Sequence, residues 1–254
     1  MEKELVFMRV IKGGTPVYYC VALQDCDDYG GVDSDSLKSA IDGVFTTNLE
    51  IDNEEANSKV QTKFAMNLVS ATADGASVNF GRYSGLLTQL KESRAWLINI
   101  HCVAHRAELS LKDYLLLIPE FKKLDETMIG LFNLFKKSGK LKRAVKKEAK
   151  AQNIDAYVLP KVTGTRFVGH RLNAVKVLLH NWAIYGTTFT KEIDQRPPSD
   201  KTRSKLIGYM KVLDNFKNRC AAVLFKKILS ICAHLQYQFE EGKVLAFEIP
   251  EKID

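Results

Sequence analysis

A chain of 254 residues, 46% hydrophobic and 26% charged, is expected to bury a sizeable core, as one large domain or two small ones. No apolar run approaches the ~20 residues that span a bilayer, and Glu2 and Glu4 directly after Met1 leave no basic segment of a secretory signal. Five scattered cysteines (Cys20, Cys26, Cys102, Cys220 and Cys232) suit a reducing, intracellular setting better than a disulfide scaffold.

The net charge of +7 conceals an asymmetry. Residues 1–75 carry 6 Lys/Arg against 13 Asp/Glu, whereas residues 76–254 carry 31 against 17. Residues 121–150 alone hold 10 basic and 3 acidic side chains. That concentration suits a polyanionic partner, nucleic acid or an acidic protein surface, and equally a solvated helix face.

In chain order, Glu4–Ile11 and Val17–Leu23 are β-branched and aromatic runs around Lys12-Gly13-Gly14-Thr15-Pro16, which predicts a hairpin. Asp33 or Ser34 caps a helix to about Asn48, with Leu37, Ile41, Val44 and Phe45 as its buried stripe. Asn48–Asn57 is a polar connector or a frayed helix start, and a helix through Val60 and Phe64 follows. Met66–Thr72 reads as a short strand that delivers Asp74 to its carboxyl end. Gly75 and Ala76 turn the chain, and Ser77–Ser93 carries Val78, Leu86, Leu87 and Leu90 at helical spacing. Trp96–Ile100 reads as a second strand. Strand, helix, strand predicts a right-handed crossover and a parallel pair. Functional groups in such units sit beyond the carboxyl ends of the strands, where Asp74 and the cluster His101, Cys102 and His105 would both fall.

After His105 the periods are helical. Arg106–Leu117 is expected to stop at Pro119. Phe121–Lys137 and a Lys-rich Gly139–Ala151 follow, and Ile154–Gly169 is read as an extended linker. A long helix is expected from His170 to about Ile193, with Trp182 and Tyr185 in the core. Two more are expected at Asp200–Phe216 and Lys217–Phe239, then a possible strand at Val244–Ile249. The fold class is therefore α/β (α+β): a mixed region over 1–105 and a helical region over 106–254.

Asp74 either holds Mg²⁺ with its hard oxygens or caps the next helix through the amides of Ala76 or Ser77. Cys102 and His105 have the spacing of half a zinc site, and the other half is not visible. A Cys102 nucleophile with His105 as base lacks an orienting third group. Arg166 and Phe167 open a helix, either as a phosphate ligand and a stacking ring or as docking residues. Lys136, Lys137, Lys140, Lys142, Arg143, Lys146 and Lys147 are suited to tracking a nucleic-acid backbone without reading its sequence.

The blocks E-K-E-L-V-F-M-R-V-I-K-G-G-T-P, D-G-A-S-V-N-F-G, H-C-V-A-H-R-A-E-L-S-L and G-T-R-F-V-G-H-R-L, in this order, resemble the hAT transposases. The likeness is greatest to the domesticated, zinc-finger-associated hAT proteins of animals. The resemblance implies an RNase H-like core with a helical insertion after the Cys-x-x-His strand. It makes Asp74 the second carboxylate of an Asp-Asp-Glu metal triad and Cys102 and His105 the family's Cys-x-x-His, with His105 near the scissile phosphate or a flipped base. It makes Arg166 and Phe167 an Arg-Trp block in which Phe replaces Trp.

The departures carry equal weight. The strand bearing the family's first Asp precedes the one at Glu4 and is not found. Neither Glu240, Glu241 nor Glu248 lies in the context of the last triad residue. The family's dimerisation signature and N-terminal zinc finger are also not found. With one carboxylate of three, paired Mg²⁺ ions cannot be held, so Asp74 and His105 are expected to be vestigial. The expected cofactors are then none, or Mg²⁺ if the missing carboxylates are supplied.

The resemblance further implies that loss of the central first strand leaves unpaired sheet edges and a less stable protein. The expected protein is a nuclear, catalytically inactive hAT-like module that binds DNA or another polyanion, or other nuclear proteins. It is not expected to meet a membrane, and any homodimer would form through regions outside this chain. The rival expectations are a segment of an active Mg²⁺-dependent transposase and a nuclear scaffold or SUMO-pathway adaptor that does not bind DNA.

Overall fold

In a computed structural model the described residues are 3–46, 54–164 and 166–240. The chain forms two compact units, Met1–Arg106 and Ala107–Asp254. The architecture is mixed α and β: among the described residues the small sheets lie in the first unit and the second is helical. No described helix is long and apolar enough to cross a membrane.

The first unit opens on a hairpin of β1 (Lys3–Lys12) and β2 (Thr15–Asp25). Gly13 and Gly14 both take positive φ, +58° and +79°, the twist a two-residue hairpin loop needs and the reason glycine occupies both places. The strands pair antiparallel, with an irregularity between Val6 and Phe7 that bends the ribbon. Helix α1 (Ser34–Thr46) begins where expected: the Asp33 carboxylate accepts from the Ser36 amide at 2.9 Å and the Ser36 hydroxyl at 3.0 Å. Of its expected stripe, Leu37 and Val44 are buried and Ile41 is half-buried.

Helix α2 (Glu54–Asn67) runs further than its sequence suggests and absorbs Met66 and Asn67. Strand β3 is Ser70–Ala73, four residues later than expected. The shift has a packing reason. Met66 and Val69 are mostly exposed, whereas Ala71 and Ala73 pack on the local core, so the smaller residues form the inward face. Strand β4 (Ile98–His101) pairs with β3 in parallel, Ser70 opposite Ile98 and Ala73 opposite His101. The parallel strand–helix–strand unit is thus present.

Its connection is not one helix but two. Helices α3 (Ser77–Phe80) and α4 (Leu86–Glu92) are separated by a turn from Gly81 to Gly85. A Cβ on Gly81 would sit 2.6 Å from the Ser77 carbonyl, and one on Gly85 would overlap the Gly81 backbone. Only two glycines let the chain fold back this closely. The break leaves Leu86, Leu87 and Leu90 buried with Leu37, Cys26 and Leu97. Arg94 closes the layer, donating to the Ala65 carbonyl at 3.0 Å and the Leu90 carbonyl at 3.2 Å. Helix α5 (Val103–Leu115) follows β4, and the boundary between the units falls within it.

The second unit comprises the rest of α5, then α6 (Pro119–Lys137), α7 (Gly139–Ala151), α8 (Phe167–His180), α9 (Trp182–Asp194), α10 (Lys201–Leu213) and α11 (Phe216–Glu240). Pro119 starts α6 at a position where its missing N–H is not needed. Ser138 caps α7 through the Leu141 amide at 3.2 Å. Asp200 caps α10 through the amides of Thr202 and Arg203, at 2.6 and 2.9 Å. The expected helix from His170 to Ile193 is two, α8 and α9, meeting at Asn181.

A single core runs through this unit. Trp182 and Tyr185 are buried in it, as their spacing suggested. Phe121 stacks on Phe225 at 4.7 Å, and Tyr185 on Phe189 at 5.5 Å. One ion pair is buried within it: Arg171 Nε donates to Asp125 at 2.9 Å, and Arg171 also donates to the Val162 carbonyl at 2.7 Å. The expected strand at Val244–Ile249 lies outside the described residues, as do Glu241 and Glu248, while Glu240 ends α11.

Candidate functional site

Two places collect the residues singled out by sequence, one in each unit. In the first, the parallel pairing brings the ends of β3 and β4 together, and the Cys102 amide donates to the Ala73 carbonyl at 2.8 Å. Asp74 follows β3 and His101 ends β4. Gly75 lies against the His101 ring so closely that a Cβ there would be 2.5 Å from its Cε1. His105 lies in the first turn of α5, its ring 6.3 Å from that of His101. The expected corner therefore assembles.

Its chemistry is more modest than its composition. Oδ1 of Asp74 accepts from the Ala76 amide at 3.1 Å and from Asn79 Nδ2 at 2.8 Å. The Ala76 amide is the main reason the carboxyl sits below its ordinary value of 3.8, followed by Asn79, with smaller electrostatic contributions from His105 and His101. Of the two roles open to Asp74, the geometry displays the expected bond from the Ala76 amide, which here holds the turn ahead of α3. The side chain does not act as the N-cap of α3; that position is Ala76.

Mg²⁺ requires several hard oxygens. The corner offers one carboxylate beside two imidazoles, and among the described residues no three His, Cys, Asp or Glu side chains are placed to hold a metal ion. The described donors therefore do not fit a Mg²⁺ pair, nor do Cys102 and His105 find the rest of a zinc site. His101 Nε2 is buried without a hydrogen-bond partner.

The second place is α7. Leu141, Val145 and Ala149 recur every four residues and are buried. The helix therefore turns Lys140, Lys142, Arg143, Lys146, Lys147 and Lys150 outward, and all six are exposed. Its single acid, Glu148, is already engaged: Lys191 donates to it at 2.6 Å and Gln152 at 2.9 Å. The Lys191 hydrogen bond chiefly, then Gln152, holds that carboxyl below its usual range. None of the six cations has a carboxylate partner among the described residues. Lys136 and Lys137, at the end of α6, are exposed as well.

Arg166 and Phe167 separate. Arg166 is exposed at the N-cap of α8, whereas Phe167 is only 4% exposed and lies in the core. The Arg171 guanidinium covers its ring at 4.6 Å from the centroid. A base cannot reach that face, and Phe167 is corrected from stacking ring to core residue. Its helix must bury one side against the core, and the ring on that side goes inward. The exposed aromatic nearby is Tyr157, in the strip that precedes α8. The sequence does not mark Tyr157, because Y-V-L-P-K-V has neither helical nor strand period.

Comparisons with protein-family models, with curated proteins and with solved structures return no match to this chain.

Proposed function

We propose that this protein is a nucleic-acid-binding module of hAT-transposase descent that works in the nucleus and has no strand-transfer activity of its own. The observation that carries the binding half is the solvent face of α7, with six exposed cations and its one acid already satisfied. A face meant only for solvation is usually laced with opposite charges. Uncompensated cations along about three turns of helix instead suit backbone phosphates and release counterions when these bind.

Support for descent comes from the quoted sequence blocks together with the parallel β3–β4 pair and the position of Asp74 at its carboxyl end. An RNase H-like core is the finer reading of that arrangement. The absence of catalysis rests on the use of Asp74: one carboxylate, committed to a turn, with imidazole neighbours.

Fluorescence anisotropy against salt tests the binding. The logarithm of the affinity for DNA should fall linearly with the logarithm of salt, and each of Lys142→Glu and Lys146→Glu should reduce that slope by about 1 or more. Affinity indifferent to salt, or to both reversals, would sink the proposal and favour a protein scaffold. Mg²⁺-dependent DNA cleavage abolished by Asp74→Asn would sink the catalytic half alone.

A further inference from the structure

We infer that the strip 155–160 and the outer surface of α8 form a stacking cleft for an unpaired nucleobase, flanked by lysines that carry the adjoining phosphates. The inference rests on the polyanion reading above and narrows it to single-stranded nucleic acid.

Residues 154–163 have no regular structure, yet they are held in place. Leu159 and Val162 are buried. Asn181, at the junction of α8 and α9 and 0% exposed, treats Tyr157 as a strand neighbour would. It accepts from the Tyr157 amide at 3.3 Å and donates to the Tyr157 carbonyl at 2.7 Å. The same Nδ2 bonds the Tyr185 hydroxyl at 3.0 Å, which fixes the amide's orientation. The backbone of Tyr157 is thus anchored from the core, while the residue as a whole is 54% exposed.

The ring is oriented as well. His180, the last residue of α8, lies 4.3 Å from it, centroid to centroid and tilted 39°. The imidazole is in turn fixed by a 2.6 Å contact between its Nε2 and the Asp155 carbonyl. An aromatic face held this way loses little freedom when a second ring stacks on it. The ring opens onto a shallow hollow with Val158, Pro160, Asn173 and Lys176 on its walls. Across the strip a second hollow is lined by Lys146, Lys150 and Asn153. Asp155 also borders it, one acid against two lysines. Lys176, Lys146 and Lys150 are exposed and have no carboxylate partner among the described residues.

Cations on both sides of a pre-set aromatic ring match a base between two phosphates. In a duplex the base faces are occupied by each other, so only an unpaired strand presents one. The ring and the α7 lysines also share one continuous segment, because α7 ends at Ala151 and the strip follows at once.

Anisotropy with a labelled oligothymidylate strand and with a labelled duplex of equal length, on the full chain, decides the matter. Tyr157→Ala keeps every charge and both backbone bonds to Asn181. It should weaken strand binding about ten-fold, the loss of one stacked base, and leave duplex binding unchanged. Tyr157→Phe should bind the strand like the parent. Tyr157→Trp should show indole emission quenched by the strand and not by the duplex. Equal strand binding by Tyr157→Ala and the parent, or no quenching in Tyr157→Trp, overturns the cleft. If Lys146→Glu then still weakens both ligands, the polyanion reading survives that failure. A parent chain that binds neither ligand at low salt overturns both.

Discussion

The two units spend their apolar residues differently. In the second, the buried side chains form one cluster that runs from Leu115 to Leu229 and takes in every helix of the unit. In the first, the comparable cluster is Cys26, Leu37, Leu86, Leu87, Leu90 and Leu97 among the described residues. The strands also keep large apolar groups in water: Phe7, Ile11 and Leu23 on the hairpin, Ile98 and Ile100 on β4. Each described strand has a single partner, and the two pairs are separate sheets. A two-stranded sheet has two edges and little to pack on, so it contributes little stability by itself. Long amphipathic helices need only a shared interior. The difference teaches that the charge-bearing unit is the well-packed one, and that the Asp74 corner stands on the thinner support.

Three perturbations sharpen this contrast, and the largest is in the second unit. Removing one partner of the buried Asp125–Arg171 pair strands a charge in the core, so Arg171→Ala should cost about 3–5 kcal/mol. The double replacement Asp125→Leu with Arg171→Met should recover most of that loss, read by urea unfolding. A double variant as unstable as the single one would mean that the Val162 contact, not the charge, is what matters.

Next in size is Leu87→Ala, expected to cost roughly 2–4 kcal/mol. In a core this small the loss should unfold the first unit locally. Hydrogen exchange should speed at the amides of β3 and β4 while the amides of α8 and α11 keep their protection. Uniform acceleration across both units would break the comparison. So would a parent protein whose β3 and β4 amides are as protected as those of α8.

The smallest effect belongs to Asp74. Its folded pKa is below the ordinary 3.8, because the Ala76 amide and then Asn79 favour the carboxylate. The stabilisation is therefore fully present above the unfolded value and is lost as pH falls through the lower folded one. Because the group is largely exposed, the effect is small. Asp74→Asn should flatten the stability profile in that acid window and lower stability slightly near neutrality, where the parent's contribution is fully present. A profile that keeps its slope there in the variant would assign the titration to another group.

Much of this was legible residue by residue. Gly13-Gly14 between two β-branched runs dictates a hairpin turn, Asp33 marks a helix start and Pro119 a helix stop through their own backbone chemistry. The parallel pairing followed from strand, helix, strand, and the cations of α7 from the Lys-rich run Gly139–Ala151. These are local rules, settled within a few residues. The break between α3 and α4 was hidden because leucine spacing continues through it. Only the closeness of the Gly81 and Gly85 backbones reveals the fold-back.

What the sequence determined alone is the order of strands and helical stretches and the charge each carries, since propensity, capping and periodicity act over one turn or one strand; where a helical stretch breaks in two, at 81–85 and at Asn181, it did not determine. The tertiary structure decided which side of each element faces inward. It sent Phe167 into the core beneath Arg171 and left Tyr157 outside, pinned by a buried Asn181 that lies 24 residues further along the chain. It also gave Asp74 a turn to hold. Burial is a contest among all the apolar surface of a unit, and no single stretch of chain contains the terms of that contest.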